Sequence, residues 1–323
     1  MNEPNVHKGY CRKGSGTGFA YFNEAGQHIS APRILSWIKA LAIPPAWNKV
    51  WISKDRHAYL LATGYDDRGR KQYIYHPDWE DVREAKKFKR LKRLSGQLVP
   101  LRKNIRQFMS EDTLTRERVL ASVVTIIDTT GVRVGNTRYQ KENDTYGITT
   151  VRKKHVAGEN RKTFRYLGKG AKLREFAVTD PAVVDIISEC EELPGYQLFK
   201  YIDDKGEKHD VSSDEINDFI REQSGVSATA KDLRTWHGNV AALESCKELG
   251  ICEKHAVAAH RKKIFTEAAK MLGNTPTIAA ESYVFPKLVE LHCCGEIEYA
   301  KPTRSKYVTA EEVTLRNLLQ RYV

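Results

Sequence analysis

Four side chains able to move a phosphoryl group stand where the chain turns. Arg133 lies in "GVRVGNTRY" between Gly131 and Gly135, and Lys169 lies in "YLGKG" between Gly168 and Gly170. Arg234 lies in "KDLRTWHG", and Tyr283 in "ESYVFP", just ahead of Pro286. Taken singly, each has a structural alternative. Arg133 can cap helix carbonyls, Lys169 can be an ordinary hairpin lysine, Arg234 can pair with Asp232 or Glu244, and Tyr283 can fill core volume. Together, without a carboxylate cluster or metal-ligand spacing beside them, they fit covalent phosphoryl transfer on a diester. A phenolate attacking a diester builds negative charge on the non-bridging oxygens, and planar guanidinium groups such as Arg133 and Arg234 suit those oxygens. The departing 5′-oxygen needs a proton, which a lysine on a narrow hairpin tip can deliver. Tyrosine, with a pKa of ~10, becomes a nucleophile only when cations favour its ionisation, and Arg234 is the expected neighbour.

The elements that must position these groups are legible in outline. "APRILSWIKALAI" places Ile34, Leu35, Ile38 and Leu41 at helical spacing and stops at Pro44-Pro45. From Val50 the pattern becomes strand-like through "VWIS", "AYLLATGY", the turn "DDRGR" and "KQYIYH", which predicts an antiparallel sheet. "REAKKFKRLKRLSGQLVPLRKNIR" carries ten Lys or Arg against the single acid Glu84, with a helical apolar beat interrupted near Pro100. It reads as a basic amphipathic connector. "VLASVVTIIDTTG" predicts a buried helix ending at Gly131, and "ITTVRKKHV", "TFRYLGKG" and "KLREFAV" predict a meander of three strands. From about Pro181 the pattern is helical. The expectation is an α+β protein, with a small antiparallel-sheet domain over residues 1–80 and a larger, mainly α-helical domain over residues 81–323.

Composition bounds the partners. The 323 residues suffice for two cores, and no apolar run is long enough to cross a bilayer. "MNEPNVHKGYCRKGSG" has no export-signal core, so a cytoplasmic, nucleoid-associated protein is expected. Cys11, Cys190, Cys246, Cys252, Cys293 and Cys294 are scattered, which fits reduced thiols. The formal charge of +12 favours a polyanion, and nucleic acid leads the candidate partners.

With these residues in place, the chain closely resembles the poxvirus-like type IB DNA topoisomerases of bacteria, over nearly its whole length. "GYDDRGRKQYIYHPDW" looks like that family's groove-binding sheet segment, so Gln72, Tyr73 and Tyr75, with Arg70 and Lys71 beside them, are expected on DNA. "RVGNTRYQKENDTYGITTVRKKHV" carries Arg133 and a further DNA-contact candidate, Tyr139; "YLGKG" carries Lys169, and "KDLRTWHGN" carries Arg234. "LGNTPTIAAESYV" carries Asn274 and Tyr283. Where the viral enzymes have a histidine this chain has Asn274, which can donate a hydrogen bond to a phosphate oxygen but cannot carry charge. The resemblance implies relaxation of supercoiled double-stranded DNA by a monomer that closes on the duplex as a clamp. It implies a 3′-phosphotyrosyl intermediate, strand swivelling and religation, with no ATP, metal or other cofactor. Within "KDLRTWHG", Lys231 is expected on the DNA strand, Asp232 on Lys231 or Arg234, Trp236 in the core and His237 in a structural role.

Two other functions stay open at this level. A tyrosine site-specific recombinase shares the Arg, Lys, Arg, Tyr set, but usually has a histidine where this chain has Lys231 and a helical N-terminal domain where residues 50–76 read as strands. A non-catalytic DNA-binding protein would use the basic face alone. A zinc protein built on Cys252, His255 and His260, with Cys246 upstream, is a weaker alternative because one helix would not bring all of them to a common face.

Overall fold

The structure, a computed structural model, describes residues 8–323, the side chains of Glu80, Arg138 and Tyr139 excepted. It forms two compact units, one ending at Lys86 and the other beginning at Lys87, and the division falls inside helix α2 (Pro77–Met109).

The first unit is a five-stranded antiparallel sheet in the order β2-β1-β3-β4-β5 with one short helix. Its strands are β1 (Gly9–Ser15), β2 (Gly18–Phe22), β3 (Asn48–Ser53), β4 (Leu60–Tyr65) and β5 (Lys71–Tyr75), and its helix is α1 (Pro32–Ala40). Pro32 opens α1, where its missing N–H costs nothing. Ile38 of α1 packs on Val50, Ile52 and Ala62 of the sheet, with Ile34, Trp37 and Leu41 around it. The alternation from Val50 onward thus marks the sheet's inner face. The sheet nevertheless begins earlier than that pattern, at Gly9. The β1–β2 hairpin is too polar to alternate visibly, and part of its placement comes from Arg12, which is buried and donates to the carbonyls of Ile43 (3.1 Å), Pro44 (2.9 Å) and Trp47 (2.6 Å).

The second unit is mainly helical. The face of α2 formed by Phe88, Leu91, Leu94, Leu98, Leu101 and Ile105 is buried. Each such side chain contributes roughly 1.5–3 kcal/mol of transfer free energy. That burial explains why α2 runs unbroken through Pro100, where an interruption is expected from sequence: the proline loses one donor, and the packed face holds the turns on either side. Helix α3 (Arg116–Thr130) is capped at its start by Thr115, whose hydroxyl accepts from the Arg118 N–H, and ends at Gly131 with φ of 59°. A left-handed residue at that position lets the chain leave the helix sharply towards Arg133.

After α4 (Thr137–Asn143) come β6 (Val156–Ala157), β7 (Lys162–Gly168) and β8 (Lys172–Val178), antiparallel in that order. Most of "ITTVRKKHV" is therefore not strand. Ile148 and Thr149 donate to the carbonyls of Arg133 and Val134, and Leu198 donates to that of Val151, so this backbone is paired outside the sheet and forms two short 3-10 turns. The remainder comprises α5 (Pro181–Glu192), the hairpin β9 (Lys200–Ile202) and β10 (Lys208–Asp210), α6 (Ser213–Ser224), α7 (Ala230–Leu249), α8 (Val257–Leu272), α9 (Pro276–Ser282), α10 (Pro286–Cys294) and α11 (Ala310–Tyr322). The hairpin corrects the purely helical expectation for this half. Helix α7 is the central element, with Leu233, Trp236, Asn239, Ala242 and Leu243 wholly buried. Among the described residues no helix is long and apolar enough to cross a membrane.

Candidate active site

Arg133, Lys169, Lys231, Arg234 and Tyr283 line one cleft of about 350 Å³ in the second unit. Among the described residues no carboxylate lines it. They arrive from four places in the fold: Arg133 from the exit of α3, Lys169 from the turn between β7 and β8, Lys231 and Arg234 from the first turns of α7, and Tyr283 from the end of α9.

Arg234 is almost fully buried, and its guanidinium donates to the carbonyl of Gly131 and, at 3.1 Å, to that of Leu272. These carbonyls end α3 and α8, so Arg234 sits at the negative poles of two helices. It is therefore Arg234, and not Arg133, that serves the C-terminus of α3, and Arg234 pairs with neither Asp232 nor Glu244. Burial first, and then the like charges of Arg133 and Arg174, lower its pKa to about 10. Arg133 instead donates to the side-chain oxygen of Asn274. The other end of that amide, Asn274 Nδ2, is buried close enough to the Tyr283 phenol to help lower its pKa, but makes no well-aligned hydrogen bond. A donor held this loosely is available to an incoming acceptor.

Tyr283 is 9% exposed, with the Arg234 guanidinium carbon 5.7 Å from its ring centre. Burial by itself would raise its pKa. The charge of Arg234 and its hydrogen bond, followed by Arg133 and Asn274, more than offset that and bring the phenol below its ordinary value. Tyr166 provides the contrast: it is buried near Arg174, Arg234 and Arg133, yet desolvation dominates and pushes it up to about 12.

Residues that sequence alone did not single out hold this arrangement. Asn239 is buried one turn after Arg234, where its amide donates to the Tyr283 carbonyl (2.9 Å) and accepts from the Phe285 N–H (2.6 Å). It thereby ties the tyrosine segment to α7. Gly238 leaves room for that segment, since a Cβ there would lie 2.8 Å from Leu272 and 3.6 Å from the Tyr283 Cβ. Arg174 of β8 brings a third guanidinium near the site and donates to the Met271 carbonyl at 3.4 Å. Its signal was only its place in "KLREF", where strand alternation puts it on the same face as Lys172.

Beneath α7 lies a buried ionic network. Arg102 binds Asp128 at 2.6 Å and Glu312 at 2.7 Å, the Trp236 indole donates to Glu312 at 2.8 Å, and His237 meets Asp128 at 2.9 Å. Trp236 is thus core and His237 structural. Burial pushes the Asp128 carboxyl up, but Arg102 and His237 outweigh it and hold it well below the usual carboxylate range. Asp232 does not hold Lys231 or Arg234. It accepts from the backbone and hydroxyl of Thr229 at the start of α7 and from Arg90 at 3.2 Å.

The DNA-contact candidates of the first unit divide between the two faces of β5. Tyr73 and Tyr75 share one face with rings stacked 5.9 Å apart, and the Lys71 ammonium lies 5.8 Å from the Tyr73 ring. Gln72 points the other way and donates to Asp66, which also pairs with Arg70 at 2.8 Å. The hydrogen bond from Arg70 leads the causes that hold Asp66 down, to a pKa of about 2. Tyr139 lies outside the described side chains.

Comparison with known proteins places the chain in a family. The family model described as "Eukaryotic DNA topoisomerase I, catalytic core" matches residues 76–297, and the model described as "Bacterial DNA topoisomerase IB, N-terminal domain" matches residues 18–66. The chain belongs to the type IB DNA topoisomerases and is an isomerase that acts on DNA. DNA topoisomerase 1B of Acanthamoeba polyphaga mimivirus is 28% identical over 300 residues, covering 90% of this chain and 89% of that protein. DNA topoisomerase 1B of vaccinia virus (strain Copenhagen) is 23% identical over 281 residues, covering 83% of this chain and 81% of its own. A solved structure of XerH site-specific recombinase bound to difH substrate aligns with 60% of this chain and 51% of its own, at 16% identity and a TM-score of 0.35.

Proposed function

We propose that the chain relaxes supercoiled duplex DNA as a monomer through a tyrosyl–DNA intermediate, with Tyr283 as nucleophile. The observation that carries this is the shared cleft of Arg133, Lys169, Arg234 and Tyr283, lined by cations and, among the described residues, by no carboxylate. Tyr283 loses its proton to solvent, the Tyr283 phenolate oxygen attacks a backbone phosphorus as the bond to the 5′-oxygen breaks, and Lys169 gives that departing oxygen its proton. The products are a 3′-phosphotyrosyl link and a 5′-hydroxyl. Arg133 and Arg234 bind the non-bridging oxygens as charge builds, supplying what a divalent ion supplies elsewhere. Asn274 Nδ2 donates to one of those oxygens. The cut strand swivels about the intact one, and the 5′-hydroxyl attacks the phosphotyrosine, restoring the diester and the free phenol. The phosphate bond is exchanged and not hydrolysed, so no ATP is consumed.

In this reading the sheet domain, residues 1–80, adds DNA contacts through Lys71, Tyr73 and Tyr75, with Arg70 and Gln72 as further contacts, and residues 81–323 carry the catalysis and a further contact at Tyr139. Lys231, exposed at the cleft, binds a flanking phosphate. The protein works in the cytoplasm on the nucleoid. The test traps the protein on a nicked duplex and maps the labelled peptide. The label is expected on Tyr283, with Tyr283→Phe forming no adduct while still binding DNA. An adduct formed by Tyr283→Phe would refute the assignment.

A further inference from the structure

A second cluster of reactive side chains lies outside this cleft. Cys252 Sγ, a His260 ring nitrogen and a His292 ring nitrogen all lie within 4.8 Å of one another. His260 Nδ1 and His292 Nε2 are 2.9 Å apart, with the rings stacked 5.2 Å between centres. His292 is 4% exposed, and the other two are half-buried. Cys293, which follows His292 in sequence, neighbours Cys252 but stands outside this trio. The set differs from the Cys252, His255, His260 combination considered from sequence. His255 is 82% exposed and turns to Glu253, while His292, thirty-two residues beyond His260, takes its place. Cys252 also precedes α8 and does not ride on it, so the one-helix objection falls away.

Two facing imidazole nitrogens 2.9 Å apart can share one proton, or both can turn their lone pairs to a cation. Zinc binds nitrogen at ~2.0–2.1 Å and thiolate at ~2.3 Å, so its tetrahedral ligands sit ~3.3–3.8 Å apart. The cluster needs only small side-chain adjustments to meet that spacing. Mixed imidazole and thiolate ligands select zinc-class ions over magnesium or calcium. We propose that Cys252, His260 and His292 form a structural site for a zinc-class divalent ion, with the fourth position taken by water or by Cys293 after a change of rotamer. The ion would join the α7–α8 linker, the first turns of α8 and the last turn of α10. Helix α8 leads to Leu272 and Asn274, and α10 starts three residues after Tyr283, so the ion braces the helices on both sides of the tyrosine segment.

The test uses the full-length, reduced, chelator-treated protein titrated with cobalt(II). One equivalent is expected to give thiolate-to-cobalt charge-transfer absorption and intense tetrahedral d–d bands, and one equivalent of zinc should displace it. Cys252→Ser and His260→Gln, each checked for folding by circular dichroism, should weaken cobalt binding by more than the ~10–100-fold that loss of an outer-sphere partner costs. His255→Ala should bind as the parent does. The proposal is overturned if the parent shows no thiolate–cobalt band at stoichiometric metal, or if folded Cys252→Ser or His260→Gln binds with parental affinity and spectrum.

Discussion

Asn239 offers the most specific test of how the nucleophile is held. Its amide makes three contacts: Nδ2 donates to the carbonyls of Thr235 (2.8 Å) and Tyr283 (2.9 Å), and Oδ1 accepts from Phe285 N–H (2.6 Å). Asn239→Ala removes both tethers to the tyrosine segment. The Thr235 bond matters less, because a helical carbonyl there has a backbone donor available. The orphaned Tyr283 carbonyl and Phe285 N–H each cost about 1–3 kcal/mol if they stay buried and unpaired. The segment can relieve that cost only by shifting, and a displacement of ~1 Å at a reacting group lowers rates by ~10²-fold. Single-turnover cleavage of a nicked duplex should therefore fall by about 10²-fold. Religation should fall with it, because the same geometry serves both directions, and the adduct fraction at equilibrium should stay near the parental value. DNA binding, measured separately, should hold. Asn239→Asp keeps the Phe285 bond but turns an acceptor towards the Tyr283 carbonyl, so it should also be slow. If Asn239→Ala lowers Tm yet cleaves within a few-fold of the parent, the amide does not position the phenol and this reasoning fails.

Three further outcomes follow from the site. Arg234→Ala should slow cleavage by ~10²–10³-fold as a charge-stabilising donor is lost; it also removes the strongest opposing influence on Tyr283 while burial persists, so the phenol pKa should rise and the pH–rate profile should move to higher pH, whereas an unmoved profile would separate Arg234 from Tyr283 ionisation. Lys169→Ala should be rescued on a substrate with a 5′-bridging sulfur, whose better leaving group needs no proton, and equal slowing on both substrates would count against an acid role. Asp128→Asn breaks a buried pair and should cost about 3–5 kcal/mol, or ~6–20 °C in Tm. Because Asp128 titrates lower in the folded than in the unfolded chain, its contribution is present above the ordinary carboxylate pKa of ~3.9 and fades as acid approaches the folded value. The variant's stability deficit should therefore shrink below about pH 4, as followed by chemical denaturation.

The sequence by itself determined the chemical inventory and the local elements. Arg133, Lys169, Arg234 and Tyr283 were visible because each sits at a turn, cap or helix end, and such punctuation is written in glycine, proline and capping residues a few positions away. Helices α1 and α3 and strands β3 to β5 were legible for the same reason, since their apolar periodicity is a short-range signal. Tertiary structure decided what lies far apart in sequence. It ran α2 through Pro100 because a buried face outweighs one missing hydrogen bond, and it paired the polar β1–β2 hairpin through Arg12. It gave Arg234 the carbonyls of two helix ends, gave Asp232 to Arg90, and set Asn239 against Tyr283. It also exchanged His255 for His292 beside Cys252. Partners of this kind are selected by which side chains fall within about 3 Å once the helices pack, and no periodicity along the chain encodes that distance.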